Sequence, residues 1–367
     1  MKFLKLMMTM AVFGMMVTGC ASNAAPQSAP NTTSNANNDK PLAGTTLNVY
    51  NWGDYIDESV LDTFEEETGI KVTYEYFDSN EAMYTKLKNG GSSYDVVFPS
   101  DYFISKMIRE DMLHPLNYDN IPNFQYISER FKDLEFDPAN KYSIPYMWGT
   151  LGILYNTTMV DEPIESWTAL FDEKYAGEIF MYPSQRDAFD PPLILLGYSM
   201  NTTNVAELEE AKQMLIDQMP LVQAYVGDPV KDKMIGNEGA MALVYSGDAM
   251  YCQEFNEDLD YCVPIEGSNV WFDNVVIPKT AKNVEGAEIF IDFLCRPEIA
   301  KLNTEYVGYS TTNEGALELL DEDYRNDPIY WPSDEEYNRC EVHLDLGNFT
   351  PTFDKIWTEV LVLSGTK

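Results

Sequence analysis

Histidine is almost missing from this 367-residue chain: His114 and His343 are the only two. There is no His-Glu-x-x-His pair, no Gly-x-Ser-x-Gly elbow, no Walker A loop and no Gly-x-Gly-x-x-Gly string. The usual residues for zinc hydrolysis, acyl transfer and nucleotide binding are therefore lacking, and no cofactor is expected. Basic residues are also scarce, with Lys and Arg numbering 24 against 60 Asp and Glu, for a net charge of −36. That balance repels nucleic acid and anionic membrane faces, and it draws cations in by long-range steering. The same acidity also serves solubility. Cysteines number five, at positions 20, 252, 262, 295 and 340, and none has Cys-x-x-Cys spacing, which argues against a zinc site or a redox dithiol. Cys252 and Cys262 remain a possible pair in an oxidising compartment. Carboxylates are plentiful enough that a glycosidase-like pair is not excluded on composition alone.

The N-terminus is different in kind. Lys2 and Lys5 precede an apolar, Met-rich run from Leu6 to Val17, followed by Val17-Thr18-Gly19-Cys20. A short basic segment, an apolar core too short to span a bilayer, and small residues before a cysteine resemble a lipoprotein signal peptide (1–19), with Cys20 as the lipidated residue. From Ala21 the chain is rich in Ser, Asn, Pro, Ala and Thr, a composition that cannot bury enough apolar surface to offset ordering entropy. Residues 20–44 are thus expected to be an anchor and stalk, with the membrane reached through lipid only.

From Thr45 the pattern alternates strand and helix. Thr46 to Tyr50 reads as a strand, and Val60, Leu61 and Phe64 recur at helical spacing between Asp57 as N-cap and Gly69 as stop. Ile70–Tyr76 and Tyr94–Phe98 read as strands flanking a helix over Glu81–Asn89. Further on, helices are predicted over Val205–Met219, Val284–Leu294 and Pro297–Glu305, and strands over Gly239–Tyr245 and Val275–Ile277. Repeated βαβ units predict an α/β fold on a parallel sheet, with ligands beyond the C-terminal strand ends.

Aromatic–carboxylate clusters fall at such ends: Trp52-Gly53-Asp54-Tyr55, Tyr245-Ser246-Gly247-Asp248 and Trp271-Phe272-Asp273. Strand alternation places Trp271 and Asp273 on one face and Phe272 on the other. Aromatic walls with fixed acids suit a methylene chain bearing separated ammonium groups, each of which a ring face attracts by about 0.5–2 kcal/mol. Asp187 and Asp248 also read as helix N-caps, and Trp52 and Trp271 as core packing. Asp273 is the hardest to read as structural, since an acid in an apolar strand wants a cationic partner.

Asn51-Trp52-Gly53-Asp54-Tyr55, Asp78-Ser79-Asn80-Glu81-Ala82-Met83-Tyr84, Ser143-Ile144-Pro145-Tyr146-Met147-Trp148-Gly149, Trp271-Phe272-Asp273-Asn274 and Gly308-Tyr309-Ser310-Thr311 resemble the bacterial spermidine/putrescine-binding receptors. The resemblance implies a type II periplasmic-binding-protein fold with ligand between two discontinuous lobes, 45–147 with 273–318 and 148–272 with 319–367. It also implies ABC permease subunits as partners, no catalysis, and a monomer. By the same resemblance Trp52, Asp54, Tyr55, Ser100 and Tyr102 line the first lobe. Asp187 matches an acid for a terminal ammonium, Tyr245 stands where the family has tryptophan, and Asp248 matches an acid of putrescine-type members. Trp271, Asp273 and Tyr309 match further ligand contacts. Gly53 replaces a hydroxyl residue, Ser184 stands where spermidine-type members often have aspartate, and His343 stands where a glutamine or tyrosine contact would be. Iron receptors of similar fold use an adjacent tyrosine pair, and no Tyr-Tyr occurs here.

Overall fold

The computed structural model describes residues 40–365 except Asp54, Gly91 and Ser92. The leader, Cys20 and the stalk up to residue 39 lie outside the described residues, as does Asp54. Among the described residues no helix is long and apolar enough to cross a membrane.

The first half is built from β1 (Thr46–Trp52), α1 (Glu58–Thr68), β2 (Lys71–Phe77), α2 (Asn80–Lys88), β3 (Val96–Val97) and α3 (Asp101–Arg109). Asp57 caps α1 by accepting from the Ser59 N–H, and Gly69 ends it at φ 74°, a left-handed turn that glycine enters without a Cβ clash. A long strand, β4 (Ser143–Asn156), leads to β5 (Ile179–Met181), α4 (Gln185–Leu195), α5 (Val205–Gln218), β6 (Val222–Tyr225), α6 (Val230–Ile235), β7 (Met241–Tyr245), α7 (Ser246–Phe255) and β8 (Leu259–Cys262). Then β9 (Val270–Val276) returns to the first half, followed by α8 (Val284–Leu294), α9 (Pro297–Val307) and β10 (Ser310–Thr311). A last helix, Thr350–Ser364, packs on α4 and α5.

The strands lie in the order β2-β1-β3-β9-β4-β7-β5-β6, with β8 and β10 also on β4. The parallel sheet expected from the βαβ pattern is corrected here to a mixed one. β1 pairs parallel with β2 and β3, and β5 with β6 and β7, but β4 and β9 run antiparallel to their neighbours. Crossing back along β9 reverses the strand direction, and a sequence pattern of alternating elements carries no sign of that reversal. The strand predicted at 275–277 is the end of β9, which begins five residues earlier and includes the Trp271–Asp273 cluster.

Strand alternation sorts the apolar side chains into layers on each side of the sheet. Leu47, Val49, Val96 and Val275 join one cluster, while Tyr50, Val97 and Val276 join another on the opposite face. Further along β4, Leu151, Ile153 and Tyr155 pack beneath α4 and α5, and Leu154 packs the other way with Val244 and Cys252. The four cysteines after residue 40 are free thiols, so Cys252 and Cys262 do not pair. β4 runs through both pairs of clusters while β9 joins the first pair, and a bulge interrupts their register between Pro145 and Met147.

Candidate functional site

Where the two halves meet, β9 turns Trp271 and Asp273 toward the seam and buries Phe272 on the other face. The Phe272 ring lies 6.4 Å from that of Trp148 and nearly parallel to it. Asp273 accepts hydrogen bonds from the Tyr55 hydroxyl at 2.7 Å and from the Ser100 hydroxyl at 2.6 Å. Burial pushes its carboxyl up to about 6, and those two donors pull the other way. Two hydroxyls satisfy hydrogen bonding without supplying charge, so the acid is buried beside neutral partners. The loop before α3 is stitched to β9 by the Asn274 N–H to Pro99 carbonyl bond (3.0 Å) and by Asp101, which accepts from the Phe272 N–H at 3.0 Å and the Tyr102 N–H at 2.7 Å. Asn80 reaches across to donate to the Ser100 and Tyr102 hydroxyls.

Four aromatic rings follow one another along the seam. Tyr309 stands edge-on to Trp271 at 5.1 Å, Tyr245 meets Trp271 at 5.9 Å, and Tyr182 meets Tyr245 at 5.3 Å. Tyr55 contacts the other side of Tyr309 at 6.1 Å. Tyr309 is placed by the end of α9, where Gly308 takes φ 79° and lets the chain turn back. Close approach fixes the rings: a Cβ on Gly149 would lie 2.6 Å from Trp271, and one on Gly247 would lie 2.0 Å from Tyr309. Trp271 is half-buried among rings, which sets aside its reading as ordinary core. Trp52 stands apart, tilted on Phe77 at 4.5 Å, and among the described residues no ring contact joins it to the Trp271 group.

At the far end, Asp187 and Asp190 lie on α4, one turn apart. Neither Asp187 nor Asp248 is an N-cap; Ser184 precedes α4 and Tyr245 precedes α7. Asp187 accepts from the Tyr245 hydroxyl at 2.9 Å, and Asp190 contacts His343 Nε2 at 3.0 Å. Burial raises both carboxyls, that of Asp190 well above the usual range, and it depresses His343 to about 3, with the Arg186 guanidinium adding to that depression. His343 is therefore a neutral imidazole near neutral pH. Among the described residues the second Asp190 oxygen is buried with no hydrogen-bond partner, a costly state for a carboxylate. Arg186 gives its Nη donors to the Leu344 and Met200 carbonyls and to Asn201, its Nε–H has no partner among the described residues, and its charge partly offsets Asp190. Asp187, Asp190 and His343 offer ligand atoms within 4.8 Å of one another, a donor set that suits a cation with hydrogens to give as well as a metal ion. Tyr102 meets His343 edge-on at 6.5 Å, which ties this end to the first half.

Asp248, on α7, pairs with Lys231 of α6 at 3.3 Å. The structure thus gathers Tyr55, Ser100, Tyr102, Asp187, Tyr245, Asp248, Trp271, Asp273 and Tyr309 along one seam. It adds four residues not singled out from the sequence: Asp101, Tyr182, Asp190 and Lys231. Asp190 carried a legible signal, its three-residue spacing from Asp187 on a helix. The others are joined to the seam only by tertiary contacts.

A family model for bacterial extracellular solute-binding proteins matches residues 59–331. The chain belongs to that family. Among curated relatives, the spermidine/putrescine-binding periplasmic protein of Escherichia coli (strain K12) is 36% identical, over 86% of this chain and 91% of its own length. Among solved structures, the spermidine/putrescine ABC transporter substrate-binding protein PotD from Streptococcus pneumoniae is 46% identical with TM-score 0.80, covering 87% of this chain and 99% of that one. The Tp0655 (TpPotD) lipoprotein of Treponema pallidum is 28% identical with TM-score 0.78, covering 86% and 99%. The fold is accordingly the two-lobe arrangement of periplasmic binding proteins.

Proposed function

We propose that the seam is the interlobe cleft, and that the chain is an extracytoplasmic receptor that captures spermidine or putrescine there and hands it to an ABC importer. One observation carries the reading: a buried acid, Asp273, has among the described residues hydroxyl partners only, and lies next to Trp271 in a row of aromatic rings. An ammonium group supplies the missing charge, and the rings cover the methylenes that follow it. Burying each methylene is worth about 0.8 kcal/mol. Asp187, Asp190 and Tyr245 hold a second ammonium, while Ser100, Tyr102, Tyr55 and Tyr309 complete the wall. Names of relatives support the ligand and the transporter, and the Treponema relative, a lipoprotein by name, supports a lipid anchor, placed here at Cys20; the receptor is proposed to act as a monomer.

The lobes are proposed to be 45–147 with 273–318 and 148–272 with 319–367, hinged where β4 and β9 cross. A thermal-shift screen of putrescine, spermidine, spermine, agmatine and neutral amino acids tests the reading. Polyamines are expected to raise the melting temperature and the amino acids to leave it unchanged; the reverse pattern would discard it.

A further inference from the structure

The acids of the cleft are not equivalent. Asp273 is held by two hydroxyls and Asp187 by one, whereas Asp248 faces a lysine, Nζ to Oδ1 at 3.3 Å. Asp248 is buried at the third position of α7, and its charge bears on Tyr309 and Tyr182, two rings of the cleft. Lys231 is the second residue of α6, which packs against α7, and its ammonium lies 5.6 Å from the Tyr251 ring. Its side chain is 30% exposed, so the ion pair is inside the wall rather than on the free surface. A lysine ammonium is chemically the same group as the end of a polyamine. Asp248 therefore already holds the cation that the ligand would otherwise bring.

We infer that Lys231 is a built-in ammonium that withholds Asp248 from the ligand and limits the preference of the cleft for a triply charged polyamine over a doubly charged one. The inference rests on the polyamine reading. With Asp248 matched internally, acid without a lysine partner remains in two places, at Asp273 and at Asp187 with Asp190, the latter partly offset by the Arg186 guanidinium. Two ammonium groups satisfy those places, and a third meets the Lys231 ammonium already in place beside Asp248 and near Asp228. Burying that third charge without a counterion is unfavourable. Freeing Asp248 adds a third acid, which benefits a trication most because Coulomb energy scales with the charge it acts on.

The test is calorimetric titration of putrescine and spermidine into the full receptor and its variants in one buffer. Lys231→Met keeps the apolar stem and removes the charge; spermidine affinity is expected to rise at least tenfold and putrescine affinity by less than about threefold. The double variant Lys231→Met, Asp248→Asn removes the freed acid, so spermidine is expected to lose the gain seen with Lys231→Met. Where Lys231→Met fails to fold, Lys231→Gln carries the same expectation with a smaller gain. Equal gains for the two ligands, no gain for spermidine, or a tenfold loss in the double variant relative to the unmodified receptor would each overturn the inference. The last outcome would mean that Asp248 grips ligand directly. An unmodified receptor that binds neither polyamine would instead remove the underlying reading, and the inference with it.

Discussion

Asp273 and Asp101 sit on either side of the stitch between α3 and β9, and burial pushes them to about 6 and about 8 respectively. Asp273 adds to the rise in Asp101, Arg186 works against it, and Tyr102 is the other titratable neighbour. Both acids hold a proton more readily in the empty cleft than an exposed carboxyl does, and a bound ammonium favours their ionised forms. Binding should therefore release protons. Polyamine affinity is expected to be greatest at about pH 8 to 9, to slacken as pH falls through Asp101, and to drop most steeply below about pH 6, by up to tenfold per unit for each group that must ionise. Neutral His343 adds no slope above its value of about 3. Titrations between pH 5 and 8.5 check this, and an affinity that rises as pH falls would contradict it.

Asp101 has a positioning role, since its two oxygens receive two backbone N–H groups. Asp101→Asn would turn an amide N–H₂ toward one of them, weakening spermidine binding by about tenfold and flattening the pH profile between 7 and 8; a merely structural loss would leave the shape of that profile intact. At this scale the sequence was legible where periodicity acts alone, as in the Trp271/Asp273 face. It was silent where two distant segments meet, as with Asp101 under Phe272, or Lys231 beside Asp248.

At the scale of elements, α1, α8 and the start of α9 were readable from caps and helical spacing. β4 was not readable as a single strand, because all fourteen of its residues are buried and no alternation marks its faces. The direction of β9 was equally hidden, since antiparallel return is a property of topology. The close contact of α7 with Tyr309 gives an element-level prediction. Gly247→Ala should lower the melting temperature, because the overlap with the Tyr309 ring outweighs the preference of helix for alanine over glycine, about 1 kcal/mol. The added methyl would meet the Tyr309 ring, so polyamine affinity is expected to fall at least tenfold. Unchanged affinity would mean that α7 and Tyr309 separate in the bound form.

For the whole molecule, a net charge of −36 supplies long-range attraction for a polycation, and the mixed sheet supplies two crossing strands on which the lobes can turn. Hinge bending at the β4 bulge is expected to close the cleft on ligand, exclude water and strengthen the ammonium–carboxylate contacts. Small-angle scattering with and without saturating spermidine should report a smaller radius of gyration with ligand, and identical profiles would argue against closure. The central claim is narrower: a buried, uncompensated acid selects a cationic chain. Its most direct test is calorimetric titration of spermidine, putrescine and the neutral diol of putrescine length into the unmodified receptor and Asp273→Asn at pH 8. Tight binding of both polyamines, no heat from the diol, and a loss of about 2–5 kcal/mol in the variant are expected. Equal polyamine affinity in the two proteins, or binding of the diol, would contradict the claim.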